Sequence, residues 1–498
     1  MPRHRSLRHI VAAFLTAVGL AGGALVNGPA TADLLDPDPP ANVIVQLWDG
    51  NDGLVRNLIG TLAGTITEDL PVINGFAATV PSSEVATLIQ ASGVRAVTPD
   101  APVVVQEAMA DGGAPSVHKD VIGSTAANAS GMRGAGATVA VLDTGVSSVS
   151  RLADRLVRVR TGLLSTESCL NLSSERDCHD NYGHGTFVAG MVNDVAPDAG
   201  ILSVKLAGRD GSMNVSRLLK GIGWVISNKD TYGVKVMNLS VRTYSPLSYR
   251  VDPVNLAVER AWAAGISVVV SAGNQGPAEA TIAKPGDDPW VITVGSTDDQ
   301  GTVGLEDDVV SSFSARGPSV DGIQKPDVVL PGRSLVGLRS PGSEADVRFP
   351  NFVDAERRRG SGTSFSAPLV AGAAAVMHAA DPTATNDRVK FALTATARAI
   401  PGASASAAGA GTIDLPNALA APAGVANDHR FHPLLWPGWT ASLADVVGSV
   451  FESQWQSGVW DGANWQGANW QGANWQGANW QGANWQGANW QGANWQGA

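Results

Sequence analysis

The sequence predicts an α/β protein, a parallel sheet covered by helices on both faces, preceded by a small α+β unit. From about 116 to 420, short β-branched runs alternate with alanine-rich helical stretches, the pattern of strand–helix–strand units. The strand candidates are apolar almost throughout, as strands buried on both faces must be. Residues 42–104 instead mix short alternating runs with a short helix.

The elements follow in order. Asn42-Val-Ile-Val-Gln-Leu-Trp48 alternates like a strand, Gly75–Val80 is a second, and Val94–Val97 a third. Ser82–Ser92 places Val85, Leu88 and Ile89 on one face, a helix capped by Ser82 or Ser83. Residues 105–115 are small and polar, an exposed zone open to cleavage. The sheet strands are expected at Ala137–Leu142, Gly200–Lys205, Val234–Asn238, Ile266–Ser271 and Trp290–Gly295. Helices are expected over Ser216–Asn228, Val254–Ala264 and, fully buried, Ala367–Ala380.

Composition narrows the class. The 498 residues carry 34 basic and 45 acidic side chains, a net charge of −11. That balance excludes nucleic-acid binding through a broad basic face. At 44 % hydrophobic residues, the length allows about three folded units. Arg3, Arg5 and Arg8 precede an apolar stretch, Ile10–Val26, which ends at small residues Ala30 and Ala32. This is a secretory signal peptide over 1–32, with a retained anchor as the rival reading. Its removal takes the charge to −14, since it holds three arginines and no acids. No other apolar run reads as a membrane span. The expected location is therefore secreted, extracellular or associated with the cell surface. In an oxidising compartment Cys169 and Cys178 would form one local disulfide. A metal site from Cys178, His179, Asp180 and His184 is the rival, although its spacing fits no common zinc pattern.

Four segments carry chemistry. Asp143 ends the strand Val139-Ala-Val-Leu-Asp143, where open α/β sheets build their sites. His184 lies between glycines before a helix-like run. Ser364 sits in Gly360-Ser-Gly-Thr-Ser-Phe-Ser-Ala-Pro368, a small-residue loop entering a helix whose first turn is expected to carry Pro368. Asn274 follows Ser271-Ala-Gly273 at the end of another strand, where its amide could donate to a developing oxyanion. Separately each has an ordinary reading: a strand-end acid, a surface histidine, a helix cap, a turn. Together they supply an orienting acid, a base, a nucleophile and an oxyanion donor.

With the blocks Asp143-Thr-Gly, Gly183-His-Gly-Thr-Phe-Val-Ala-Gly190 and Gly362-Thr-Ser-Phe-Ser-Ala-Pro368 in this order, the sequence resembles the subtilisin-like serine proteases, or subtilases. The resemblance implies a subtilisin-like fold and an Asp143–His184–Ser364 triad, with Asn274 in the oxyanion hole. It implies an autoprocessed endopeptidase acting on proteins or peptides. It also implies that 42–105 is an inhibitory propeptide of ferredoxin-like α+β form, following a linker at 33–41, and that 106–420 is the catalytic domain. Ser240, Val241 and Arg242 would line one substrate edge, and Ser271, Ala272 and Gly273 the opposite wall of the specificity pocket. Departures are Arg242-Thr243 where many subtilases have Gly-Gly, Phe187 and Leu369 where the family often has histidine, and no calcium loop after Gly190. No metal or cofactor is expected, with calcium at another site left open. Arg242 either biases the cleft toward acidic substrates or points to solvent.

Two other motifs fail. Gly131–Gly136 precedes a strand where a nucleotide loop must follow one. Ser364 lacks the glycine two residues on that a nucleophile elbow needs.

After a Pro/Ala-rich linker at 421–451, the tail 452–498 repeats Gly-Ala-Asn-Trp-Gln, with tryptophan at every fifth position from 455 to 495. A period of five turns about 140° per repeat around a helix and alternates faces in a strand, so neither gives an amphipathic face. Three readings stay open: an uncharged disordered tail, an aromatic array for a cell surface or glycan, and a pentapeptide-like β-solenoid. The last two leave room for a surface-attached binding or display protein on an inactive scaffold.

Overall fold

A computed structural model of the chain describes residues 38–427, apart from 106, 109–112, 163 and 244. The expected signal peptide, most of the first linker and the tryptophan tail lie outside the described residues.

Six parallel strands form the main sheet, in the spatial order Cys169–Asn171, Gly200–Lys205, Thr138–Asp143, Val234–Leu239, Ser267–Ser271 and Ile292–Asp298. Val328–Pro331 adds a parallel strand and Val309–Val310 an antiparallel one, both on Ile292–Asp298. The expected strands are found within two residues, except that the last extends to Asp298. Helices His184–Val195 and Thr363–Ala380 pack together on the sheet, while Val215–Tyr232 and Pro253–Ala263 form a second helical layer. The strands are continuously apolar because both faces meet helices. Thr363–Ala380 is the one described helix long and apolar enough to cross a membrane. It is instead the core helix, buried from Thr363 to His378. It begins four residues earlier than expected, so Pro368 lies in its interior rather than its first turn.

Residues 40–99 fold as strand Pro40–Leu47, helix Asp52–Thr61, strands Thr65–Leu70 and Gly75–Pro81, helix Val85–Ile89 and strand Val94–Pro99. The sheet is antiparallel, with the first strand between the third and fourth, a ferredoxin-like order. The first helix and second strand were not foreseen. The second helix is shorter than expected, and a 3₁₀ turn occupies Ser82–Glu84 where the serine cap was placed.

The alternation in the first strand separates two cores. Val43, Val45 and Leu47 pack into the small unit's own cluster. Ile44 turns the other way and joins the large core with Leu70, Val72 and Ala77. Gln46 is buried on that face and donates to Val251 O at 2.7 Å. Both faces of the small sheet are therefore covered, one by its own helices and one by the second helical layer.

Asp100 fastens the seam. It accepts from Ser216 N and Ser216 Oγ at 2.7 Å and from Asn214 Nδ2 at 2.8 Å, at the N-terminus of helix Val215–Tyr232. A carboxylate there satisfies orphan amides and complements the helix dipole. Asp100→Ala in a Ser364→Ala background should lower stability by about 1–2 kcal/mol and speed hydrogen exchange at Ser216. An unchanged melting curve would show that the seam does not depend on this cap.

Candidate active site

Asp143 is the last residue of its strand, His184 the first of helix His184–Val195 and Ser364 the second of helix Thr363–Ala380. All three are fully buried. Gly185 allows the histidine helix to close on the Asp143 strand: a Cβ there would lie 2.1 Å from Gly145 O and 3.1 Å from Asp143 Cβ. Gly185 thus sets how closely the two elements approach.

His184 Nδ1 lies 2.8 Å from Asp143 Oδ1 and 3.0 Å from Oδ2. Thr144 N donates to Oδ1 at 2.7 Å. The opposite ring nitrogen, Nε2, has no hydrogen-bond partner among the described residues. Burial disfavours protonation of His184, but the Asp143 carboxylate outweighs it, helped by Glu107 and Asp180, and its pKa is raised. Ser364 Oγ donates to Ser240 O at 3.2 Å. The next residue, Phe365, has its ring 5.2 Å from the imidazole.

Asn274 is held by its oxygen. Oδ1 accepts from Thr363 N at 2.9 Å and from Thr363 Oγ1 at 2.8 Å. An amide anchored this way presents its NH₂ on the side away from the anchor. Ser240 Oγ donates to Ser364 O at 2.8 Å. Ser271, Ala272 and Gly273 are buried after the strand Ser267–Ser271, and Gly273 N donates to Thr363 Oγ1 at 3.2 Å. The structure thus gathers Asp143, His184, Asn274, Ser364, Ser240 and Ser271–Gly273 around one locus.

The metal alternative fails on its ligands. Cys178 is bonded to Cys169, and His184 Nδ1 faces Asp143. Both oxygens of Asp180 are engaged: Oδ1 accepts from Gly183 N and Thr144 Oγ1, and Oδ2 from Thr186 N and Thr186 Oγ1, each at 2.7 Å. Asp180 thereby ties the start of the histidine helix to the residue beside Asp143, a positioning role that no sequence pattern signalled.

Three further features were missed. Pro102–Val105 is the middle strand of an antiparallel sheet between Met213–Asn214 and Val241–Thr243. The pairing edge is therefore 241–243, with half-buried Arg242 opposite Val104; it includes Val241 and Arg242 and extends to Thr243, while Ser240 lies just before it. Beyond the strand, Ala108 pairs with Ser361. Glu107, expected in an exposed zone, is buried in an ion pair with Arg358, with each side chain at most 3 % exposed. Arg357-Arg358-Arg359 ahead of the serine loop was the available signal, but a charge run ordinarily reads as a solvated face.

A profile of the subtilase family of S8 peptidases matches residues 134–414. The chain belongs to this family. Serine protease AprX of Bacillus subtilis (strain 168) is 37% identical to this subtilase over 281 residues, covering 53% of the chain and 61% of AprX. A thermostable alkaline protease of Halalkalibacterium halodurans is 30% identical over 341 residues, 66% of this chain and 78% of that protein. Fervidolysin from Fervidobacterium pennivorans, a keratinolytic enzyme related to subtilisin, shares the fold with a TM-score of 0.58 at 22% identity, over 79% of this chain and 63% of its own. The match with AprX spans about three fifths of that protein.

In the Ser364→Ala protein, NMR titration of His184 should give a pKa above the usual 6.5. Asp143→Asn should lower it, because the main charge opposing the effect of burial would be gone.

Proposed function

We propose that this subtilase is a secreted serine endopeptidase that cuts proteins and is made as a self-inhibited precursor. Residues 1–32 direct export, 42–105 act as inhibitor, and 106–420 form the catalytic domain. The tryptophan tail enters as an accessory for attachment to a cell surface or glycan.

The observation carrying this reading is the course of the chain's own segment. Residues 102–105 lie as the middle strand of a three-stranded sheet, and residue 108 pairs with Ser361, three residues before Ser364. That is how an extended peptide adds to open strand edges. Counting one residue past the Val105–Val241 pair reaches Ser240, whose carbonyl holds the Ser364 hydroxyl. The bond assigned to self-cleavage therefore joins residues 106 and 107.

In this reading Ser364 Oγ turns from Ser240 O to attack the peptide carbonyl, and His184 Nε2 takes its proton. Asp143 holds the imidazole with Nε2 facing the serine and stabilises the imidazolium. The Ser364 N–H at a helix N-terminus and the Asn274 Nδ2 hold the oxyanion. His184 then gives the proton to the leaving amine, and water hydrolyses the acyl-enzyme. Ser240, Val241 and Arg242 line the acyl side, and the small residues Ser271, Ala272 and Gly273 leave room for the side chain before the cut.

Intact mass of the secreted protein tests this. Wild type should begin at or beyond residue 107, and Ser364→Ala should retain 42–105. Equal masses with that segment retained in both would overturn self-cleavage. Asn274→Ala should lower kcat by about 10²–10³. Since the base must be neutral, kcat/KM should fall with unit slope as pH drops below the raised His184 pKa.

A further inference from the structure

Arg358 lies in the strand Arg357–Gly360, which leads into the serine loop. Its guanidinium sits 4.9 Å from the centre of the Phe187 ring, three residues after His184. The site is built around that ring: a Cβ on Gly337, in the strand paired with 357–360, would come within 2.6 Å of it. Nη1 and Nη2 grip Glu107 Oε1 and Oε2 at 2.5 and 2.9 Å. Among the described residues, Glu107 is the one carboxylate within ion-pair distance of Arg358.

An arginine stays charged in proteins, and a buried charge without a partner costs several kcal/mol. Here the partner belongs to the segment that crosses the cleft, not to the fixed framework. Its backbone neighbour, Ala108, is paired with Ser361, three residues before Ser364. Arg358 therefore borders the position taken by the first residue after the cut. Once the new N-terminus carries Glu107 out of the site, the planar fork is matched to another carboxylate in the same place.

We propose that Arg358 is a specificity-determining residue, selecting substrates with glutamate or aspartate directly after the scissile bond. Glu107 occupies that site in the precursor. This rests on the protease reading above and adds a substrate class to it. The Arg242 question is separate, since Arg242 lies on the acyl side of the cut.

The test uses mature wild-type protein and two peptides copying residues 101–112, one with glutamate and one with glutamine at the position of residue 107. Products are identified by mass. The glutamate peptide should be cut between positions 106 and 107 with kcat/KM at least about tenfold higher. Arg358→Gln should erase the difference by lowering kcat/KM for the glutamate peptide, and Arg358→Lys should restore part of it. In the precursor, Glu107→Gln should slow self-cleavage. This measurement and the wild-type peptide pair carry the test if Arg358→Gln does not fold. Equal cutting of both peptides, or cutting at another bond, would overturn the role of Arg358 and leave the protease reading intact. If neither peptide is cut and a serine-reactive phosphonate does not label Ser364, the protease reading itself fails and this inference falls with it.

Discussion

Phe187 and Phe365 meet with ring centroids 4.0 Å apart, and this contact joins the helix that begins with His184 to the helix that carries Ser364. His184 meets the sheet at Asp143, the end of an inner strand. His184 opens its helix and Ser364 is the second residue of its own, so both are placed by how the two helices pack. The aromatic contact contributes burial and a specific geometry at once. It also lends one ring to Arg358, so catalytic geometry and leaving-side recognition share a support. A change in the Phe187 ring would disturb both Phe365 and Arg358.

Around that contact the polar groups are held by side-chain oxygens that each accept several hydrogen bonds. Asp180 accepts four bonds and Asn274 Oδ1 two. In a dry site such networks fix position at little cost at the moment of reaction. Glu107 also contributes to the raised His184 pKa in the uncut chain. Under the proposed scheme that contribution lasts only while Glu107 stays beside Arg358, so the imidazole should become a weaker base once the new N-terminus has moved out of the site.

The sequence made the strand ends, the glycine-flanked histidine and the small serine loop legible, because each is a local pattern with a local cause. Apolar strands and periodic helices were readable for the same reason. What stayed hidden depended on distance along the chain. Glu107 and Arg358 are 251 residues apart, and one sits in a run of three arginines that composition alone assigns to solvent. Asp180 works through hydrogen bonds that leave no spacing signature. The helix Asp52–Thr61 was overlooked because it buries only Val55 and Ile59, too weak an apolar stripe to stand out. Pro368 misled in the other direction: proline favours a first turn, yet here the helix had already begun at Thr363.

The arrangement of Pro102–Ala108 has a consequence for the order of events during synthesis. The residues that grip this segment are made long after it: Met213, Val241, Arg358 and Ser361 all follow it, the last two by some 250 positions. A chain still emerging, or one truncated before Arg358, can assemble neither the grip nor the nucleophile. Under the proposed scheme, self-cleavage thus reports that the last third of the catalytic domain has been completed and correctly docked. Under the same scheme, chain order alone withholds activity from an incomplete chain.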